Sequence, residues 1–307
     1  MTGAGDSRIR VFDDAGSARM LEAFEQRYTT RYPVDTEAGQ KVAHAEIHER
    51  QFWFRERYVP WLDSVVSLRG ARVLEIGSGN GSSTVALAEA GAVIDALDVD
   101  ADGLMMAVPR AELCGVRHQI QFQVGDAADV AELFPAKSHD VIAYLAALEH
   151  MTFAERTTSL QQAWTMLGPG GILVIADTPN RLWYFDDHTS FDNYFHWLPD
   201  DVALSYVRIA PRRDFGGDFE ASDAALRLTR WGRGISYHDL MIAIGEDVLQ
   251  LYVSGEWDFR RQRDPDFATW WSGTTQGRYQ ALLREISPEV PSGFLEPELA
   301  VCLRKPA

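Results

Sequence analysis

Three glycines at alternate positions, Gly77, Gly79 and Gly81, follow the apolar run Val73-Leu74-Glu75-Ile76, and the acidic Glu75 sits two places ahead of the first. Glycine lets a ligand approach the backbone closely. Polar Ser82, Ser83 and Thr84 then open the helix-like run Val85-Ala86-Leu87-Ala88. The first N–H groups of such a helix can meet a carboxylate or phosphate. Strand, tight turn and helix in that order are the parts of a nucleotide site in an α/β domain. Further along stand residues suited to hydrogen bonding or proton transfer: Asp98, Asp126, His150 and His188. A histidine, with an unperturbed pKa of about 6.5, suits general base catalysis.

The elements that must position these residues alternate from residue 71 onward. The spacing predicts strands over residues 72–76, 93–97, 119–124, 140–145 and 172–176, with helices over about 82–91, 104–113 and 152–167. Gly168-Pro169-Gly170-Gly171 makes the turn into the fifth strand. Repeated βα units imply a parallel sheet with right-handed crossovers. Before it, residues 17–58 read as helical: one segment ends ahead of Pro33, and a second starts at the N-cap Thr36 and closes at Pro60. Residues 1–16 read as a polar tail. Phe52-Trp53-Phe54 can pack in the core or cap the cleft. Residues 177–234 are too long and irregular for a simple connection, which marks a functional insertion or lid. A helix over 237–244, a strand over 247–253, a helical excursion over about 266–286 and a last strand over 299–303 complete the chain.

The glycine spacing selects the nucleotide. The dinucleotide fingerprint is G-x-G-x-x-G, whereas here the third glycine comes one residue early. The pattern E-x-G-x-G-x-G resembles motif I of the class I S-adenosylmethionine-dependent methyltransferases. Asp98 closes the second strand seventeen residues beyond Gly81, where an acid can accept bonds from both ribose hydroxyls; Asp95 and Asp100 are its neighbours in competition. Gly125-Asp126-Ala127 resembles the family's adenine contact, with Ala127 offering a backbone N–H. Residues 143–151, containing Leu148-Glu149-His150, resemble the family segment after strand 4, and the Gly-Pro-Gly-Gly turn resembles its L-x-P-G-G signature. The resemblance covers residues 71–177.

It implies a Rossmann-like seven-stranded methyltransferase sheet, mostly parallel with the last strand antiparallel and helices on both faces. An N-terminal helical extension (residues 1–70) precedes the cofactor-binding domain (71–307), which carries the insertion of 177–234. The implied cofactor is S-adenosyl-L-methionine, leaving as S-adenosyl-L-homocysteine. Its implied contacts are Glu75, Gly77, Ser78, Gly79, Gly81, Asp98, Asp126, Ala127 and Leu145. The acceptor belongs beyond the ends of strands 4 and 5, so His150 and His188 are the candidate catalytic bases, His150 with a structural role as its alternative. Arg181 suits an anionic group or a structural ion pair.

The aromatic and acidic residues over 183–199 suit a polyhydroxylated or aromatic small molecule, and a hydroxyl oxygen is the expected acceptor atom. Asp186, Asp187, His188 and His196 are residue types that could ligate a metal; the end of the fourth strand holds Tyr144-Leu145-Ala146 rather than the Asp of catechol-type sites, and the expectation is no metal. A catalytically silent cofactor-binding subunit, regulating or scaffolding a partner through its nine tryptophans, is the alternative.

Composition bounds the rest. The 307 residues are 46% hydrophobic and 24% charged, with a net charge of −16. That acidity, and the lack of a D/N-P-P-Y/F motif or a Pro-Cys pair, argue against nucleic acid. An arginine group at Arg208, Arg212, Arg213, Arg227, Arg230 and Arg233 is interrupted by acids and reads as a solvated surface. No apolar run is long enough to span a membrane and no secretory leader is legible. Cys114 and Cys302 read as buried thiols in a reducing compartment, so a cytoplasmic protein is expected; a homodimer is compatible with all of this.

Overall fold

The computed structural model of the chain describes residues 9–28, 31–207, 209–210 and 223–307. Residues 1–8 of the expected tail, and Arg208, Arg212 and Arg213, lie outside the described residues. The strands are β1 Arg72–Ile76, β2 Val93–Asp98, β3 Ile120–Val124, β4 Val141–Leu145, β5 Ile172–Pro179, β6 Phe185–Asp186, β7 Asp192–Asn193, β8 Tyr252–Gly255 and β9 Glu298–Arg304. Seven make one sheet in the order β3-β2-β1-β4-β5-β9-β8, and β6 pairs with β7 in a small hairpin. β1 and β3 both run parallel to β2, while β9 runs antiparallel to both β5 and β8. This is the expected sheet, with the last strand of the chain inserted in reverse. β4 is buried at all five positions, as its unbroken apolar run requires of a strand covered on both faces. Two compact units divide the chain, residues 1–143 and 144–307.

The first unit holds α1 Asp14–Tyr28, α2 Glu37–His44, α3 Arg50–Trp53, α4 Val59–Val65, α5 Ser82–Glu89, α6 Leu104–Leu113 and α7 Val130–Leu133. Thr36 caps α2 as expected, its hydroxyl accepting the Gly39 N–H at 3.0 Å. Two π turns, Ala45–Glu49 and Phe54–Tyr58, join α2, α3 and α4. The helix does not close at Pro60: the proline falls in the first turn of α4, where a missing N–H is tolerated, and the helix runs on to Val65. Phe12, Met20 and Phe24 pack with Ala43, Ile47 and Met106, so α1 and α2 bury their apolar faces on α6. Of the aromatic triplet, Phe54 is buried and Trp53 is exposed.

The second unit holds α8 Phe153–Met166, α9 Asp200–Tyr206, α10 Ala224–Trp231, α11 Tyr237–Ile244, α12 Val248–Leu251, α13 Glu256–Arg263, α14 Pro265–Gly273 and α15 Thr275–Ile286. A capping box between Thr152 and Glu155 starts α8. The expected strand over 247–253 is largely a helical turn, because the Asp247 carboxylate accepts the Leu249 N–H at 3.1 Å; the strand begins only at Tyr252. The excursion expected over 266–286 is two helices, divided where the Thr274 hydroxyl accepts the Gly277 N–H. Residues 177–234 are less irregular than expected: they contain the β6–β7 hairpin, and α9 and α10 pack around Phe195, Val207 and Leu228. The described arginines of the group each meet a carboxylate: Arg227 with Asp223, Arg230 with Glu155 and Arg233 with Asp200.

Candidate active site

The first unit builds a backbone cradle between β1 and α5. Gly77, Gly79 and Gly81 all take left-handed φ angles, 84°, 51° and 77°. A Cβ on Gly81 would stand 2.8 Å from the Ala107 Cβ, so α6 packs directly on the turn. At Gly79 a Cβ would meet nothing within 4 Å, which leaves that side of the turn open to a ligand. Glu75 is fully buried at the end of β1. The Ser83 hydroxyl donates to its Oε1, while its Oε2 has no hydrogen-bond partner among the described residues. Burial pushes this carboxyl up to about 7, against the pull of the Ser83 and Thr84 hydroxyls. The Ser78 hydroxyl is also buried without a partner among the described residues.

Asp98 ends β2 and accepts two backbone N–H groups, Gly79 at 2.6 Å on Oδ2 and Asp100 at 2.8 Å on Oδ1. A carboxylate has about four acceptor sites, so two more bonds can form on Asp98. Of its two competitors, Asp95 pairs with His139 at 2.7 Å and Asp100 with Arg27 at 2.7 Å. The tips of β2 and β3 are tied where Gly125 N–H donates to the Asp98 carbonyl. Asp126 follows, exposed, capping the short turn at Ala127–Asp129 through the Ala128 N–H. These residues are assembled by adjacent strand ends.

The second unit gathers a different set. Leu145 is the last, buried residue of β4, and the next residue, Ala146, holds a strained φ of 55°. His150 Nδ1 lies 2.9 Å from the Arg230 carbonyl. A carbonyl only accepts, so Nδ1 carries the proton and Nε2 the lone pair of the neutral ring. That Nε2 faces buried Glu149 Oε1 at 3.6 Å. His188 packs on His150 with ring centroids 5.5 Å apart. Burial, followed by the neighbouring His150, lowers the His188 pKa to about 4, which keeps its imidazole neutral near pH 7.

The metal candidates separate here. The Gly234 N–H donates to His196 Nδ1, which puts the His196 proton on Nε2, 3.1 Å from Asp186 Oδ1. Asp186 also receives the N–H groups of His188, Thr189 and Ser190. Burial pushes its carboxyl up, but these partners outweigh it and hold it below the usual range. Arg181 spends its Nε on the Gly234 carbonyl at 2.9 Å.

Residues 73–171 match the family model described as a methyltransferase domain. A ubiquinone biosynthesis O-methyltransferase of Pseudomonas savastanoi pv. phaseolicola is 32% identical over 152 residues, covering 46% of this chain and 63% of that protein. An uncharacterized methyltransferase of Bacillus velezensis is 30% identical over 155 residues, covering 47% of this chain and 66% of the other. The chain thus spans less than two thirds of the length of these relatives. Magnesium protoporphyrin IX methyltransferase of Synechocystis, solved with S-adenosylhomocysteine, is 18% identical with a TM-score of 0.43, covering 76% of this chain and 85% of that one. Residues 73–171 are thus a methyltransferase domain of the class I S-adenosylmethionine-dependent type.

The cofactor of such domains is S-adenosylmethionine, and the cradle between β1 and α5 fits it. A buried carboxylate oxygen without a partner suits an ammonium group and opposes a pyrophosphate. Sequence reasoning passed over Arg110, although it fixes the cradle. Fully buried in α6, Arg110 donates to the Asn80 carbonyl at 3.1 Å, to the Ile47 and Glu46 carbonyls at 2.9 and 2.7 Å, and to Gln51 Oε1 at 2.9 Å. The π turn at Ala45–Glu49 is thereby clamped to the glycine turn. Burial lowers the Arg110 pKa only to about 10, so it stays charged. The one sequence signal was an arginine inside an otherwise apolar helical stripe.

Proposed function

We propose that this protein transfers a methyl group from S-adenosylmethionine to a hydroxyl oxygen of a small molecule. The observation that carries the reading is the buried oxygen of Glu75, without a hydrogen-bond partner among the described residues, at an open glycine turn. In this reading Glu75, Gly77, Ser78, Gly79 and Gly81 hold the methionine end. Asp98 accepts from the ribose hydroxyls, and Asp126 with the Ala127 N–H binds the adenine. Leu145 lies against the cofactor as an apolar contact. When bound, the cofactor supplies an electrophilic methyl on a sulfonium, and in-line alignment of donor and acceptor does much of the work.

His150 is the first choice for the base. The Arg230 carbonyl holds its proton on Nδ1 and leaves the lone pair on Nε2, with Glu149 beside it to stabilise the imidazolium that forms. A neutral His188 against its ring is the second. The names of the Pseudomonas relatives favour oxygen over nitrogen as the acceptor atom. The proposed setting is the cytoplasm, in keeping with two cysteines that form no disulfide; among the described residues no helix is long and apolar enough to cross a membrane.

Thermal shift with S-adenosylhomocysteine against NAD tests the cofactor assignment. A rise in melting temperature with the first alone supports it, and a rise with NAD alone would sink it. With a phenolic or sugar acceptor found by screening, His150→Ala should lower kcat by about 10²–10⁴-fold with little change in KM. Full turnover by both His150→Ala and His188→Ala removes the base assignment. Tight cofactor binding with no turnover on any acceptor, and a co-purifying partner, would favour the silent subunit instead.

A further inference from the structure

Ligating atoms of Glu149, His150 and His188 all lie within 4.8 Å of one another in the second unit. The three come from the turn after β4 and from the β6–β7 hairpin, and each is held by a partner behind it. His150 Nδ1 donates to the Arg230 carbonyl at 2.9 Å. His188 Nδ1 lies 3.2 Å from the Thr189 hydroxyl, whose own proton goes to the Gly232 carbonyl at 2.7 Å. The hydroxyl has one proton, so His188 Nδ1 must donate to it, and the lone pair of the neutral ring sits on Nε2. Glu149 Oε2 accepts from Thr178 at 3.1 Å. Gly232 is required behind the ring: its φ is 120°, and a Cβ there would stand 2.6 Å from His188 Nδ1. Both imidazoles thus have their proton on the outer nitrogen, fixed by hydroxyl or carbonyl oxygen. That is how outer partners commonly orient metal-bound histidine.

We propose that Glu149, His150 and His188 bind one divalent transition-metal ion through a carboxylate oxygen and the Nε2 atoms of both rings. Two histidines and one carboxylate with further positions open are the ligand set of catalytic zinc and non-haem iron sites. Ligands about 2.1 Å from a tetrahedral ion stand about 3.4 Å apart. The 3.6 Å between His150 Nε2 and Glu149 Oε1 already fits that spacing, and it is too long for a direct hydrogen bond. Asp186 and His196 take no part, because each is consumed by the other and by backbone N–H groups. Magnesium and calcium are disfavoured, since both prefer all-oxygen sites. A coordinated hydroxyl or water would be acidified by the ion.

The inference alters one part of the methyl-transfer reading, since an ion held on both Nε2 atoms would take the place of His150 and His188 as base by acidifying the acceptor hydroxyl itself; it is tested separately, because ion binding is measured without cofactor or acceptor. The full chain is stripped with EDTA and titrated with zinc chloride by calorimetry and with cobalt(II) chloride by visible absorption. One ion per chain and a cobalt ligand-field band are expected. His150→Ala, on the more exposed ring, should weaken zinc binding at least about tenfold, as should Glu149→Gln. His44→Ala, in the helical segment of the first unit, should leave it unchanged. Melting curves identify any variant that has failed to fold, and His150→Ala serves if the buried Glu149→Gln does not fold. Substoichiometric zinc, or zinc affinity unaltered in folded His150→Ala, overturns the proposal.

Discussion

The cradle of the first unit and the histidine cluster of the second solve the same problem by opposite means. The cradle is local. Glu75 to Ser83 are contiguous, and the atoms facing a ligand are largely backbone, shaped by left-handed glycines. The cluster is assembled from a distance: Glu149 and His150, then Thr178, then His188 and Thr189, then Arg230 and Gly232, each supplying one contact. A backbone site tolerates few substitutions within it, because no side chain can be exchanged for a carbonyl or an N–H. A side-chain site tolerates change everywhere except at its ligands and the few groups that hold them. The difference teaches where specificity can diverge: on the proposed reading, methyl-donor chemistry is written into a turn and acceptor chemistry into a loop.

The sharpest break of that contrast is at Asp98, a side chain on which the glycine turn leans. Asp98→Ala removes the acceptor for the Gly79 N–H along with the proposed ribose bonds. Two charge-assisted bonds at about 1.5–3 kcal/mol each imply a loss of about 100-fold or more in S-adenosylhomocysteine affinity by calorimetry. Unchanged affinity would mean that the ribose is held elsewhere. Next in size is Gly81→Ala, which adds a Cβ at a φ of 77° and 2.8 Å from Ala107. Left-handed strain and overpacking together predict about 2–4 kcal/mol of lost stability in urea unfolding. A folded variant of wild-type stability would show that α6 can retreat from the turn.

The same contrast explains what could be read from the chain beforehand. Local patterns were legible: the E-x-G-x-G-x-G spacing gave the turn, and the apolar runs gave the sheet, with boundaries within a few residues at β1, β2 and β9. Misreadings arose where one side chain overrode periodicity. Asp247 capped a helical turn inside an apolar run that reads as strand, and Pro60 was absorbed after a π turn. Glu149 was visible in the Leu-Glu-His run, but its proximity to His188 is a tertiary fact with no signal along the sequence. Arg110 was hidden for the same reason, since its four acceptors lie 30 or more residues away.

Glu75 offers the finest test, because its two proposed duties pull in opposite directions. Its buried carboxyl has a folded pKa of about 7 against an ordinary 4.5. Between those values the unfolded chain has released this proton and the folded chain still holds it. The stability contribution is therefore full below pH 4.5, and is lost as pH rises through 7, at up to about 1.4 kcal/mol per pH unit. Glu75→Gln carries no such titration, so without cofactor it should melt higher than the wild type at pH 8, and the advantage should shrink toward pH 5. Yet the same variant removes the charge offered to the cofactor's ammonium, which should weaken S-adenosylhomocysteine about tenfold or more at pH 8. A variant that gains stability and loses affinity fits a carboxylate buried for a ligand. One that loses both reduces Glu75 to a strut for Ser83, and the cradle would then bind its cofactor by backbone alone.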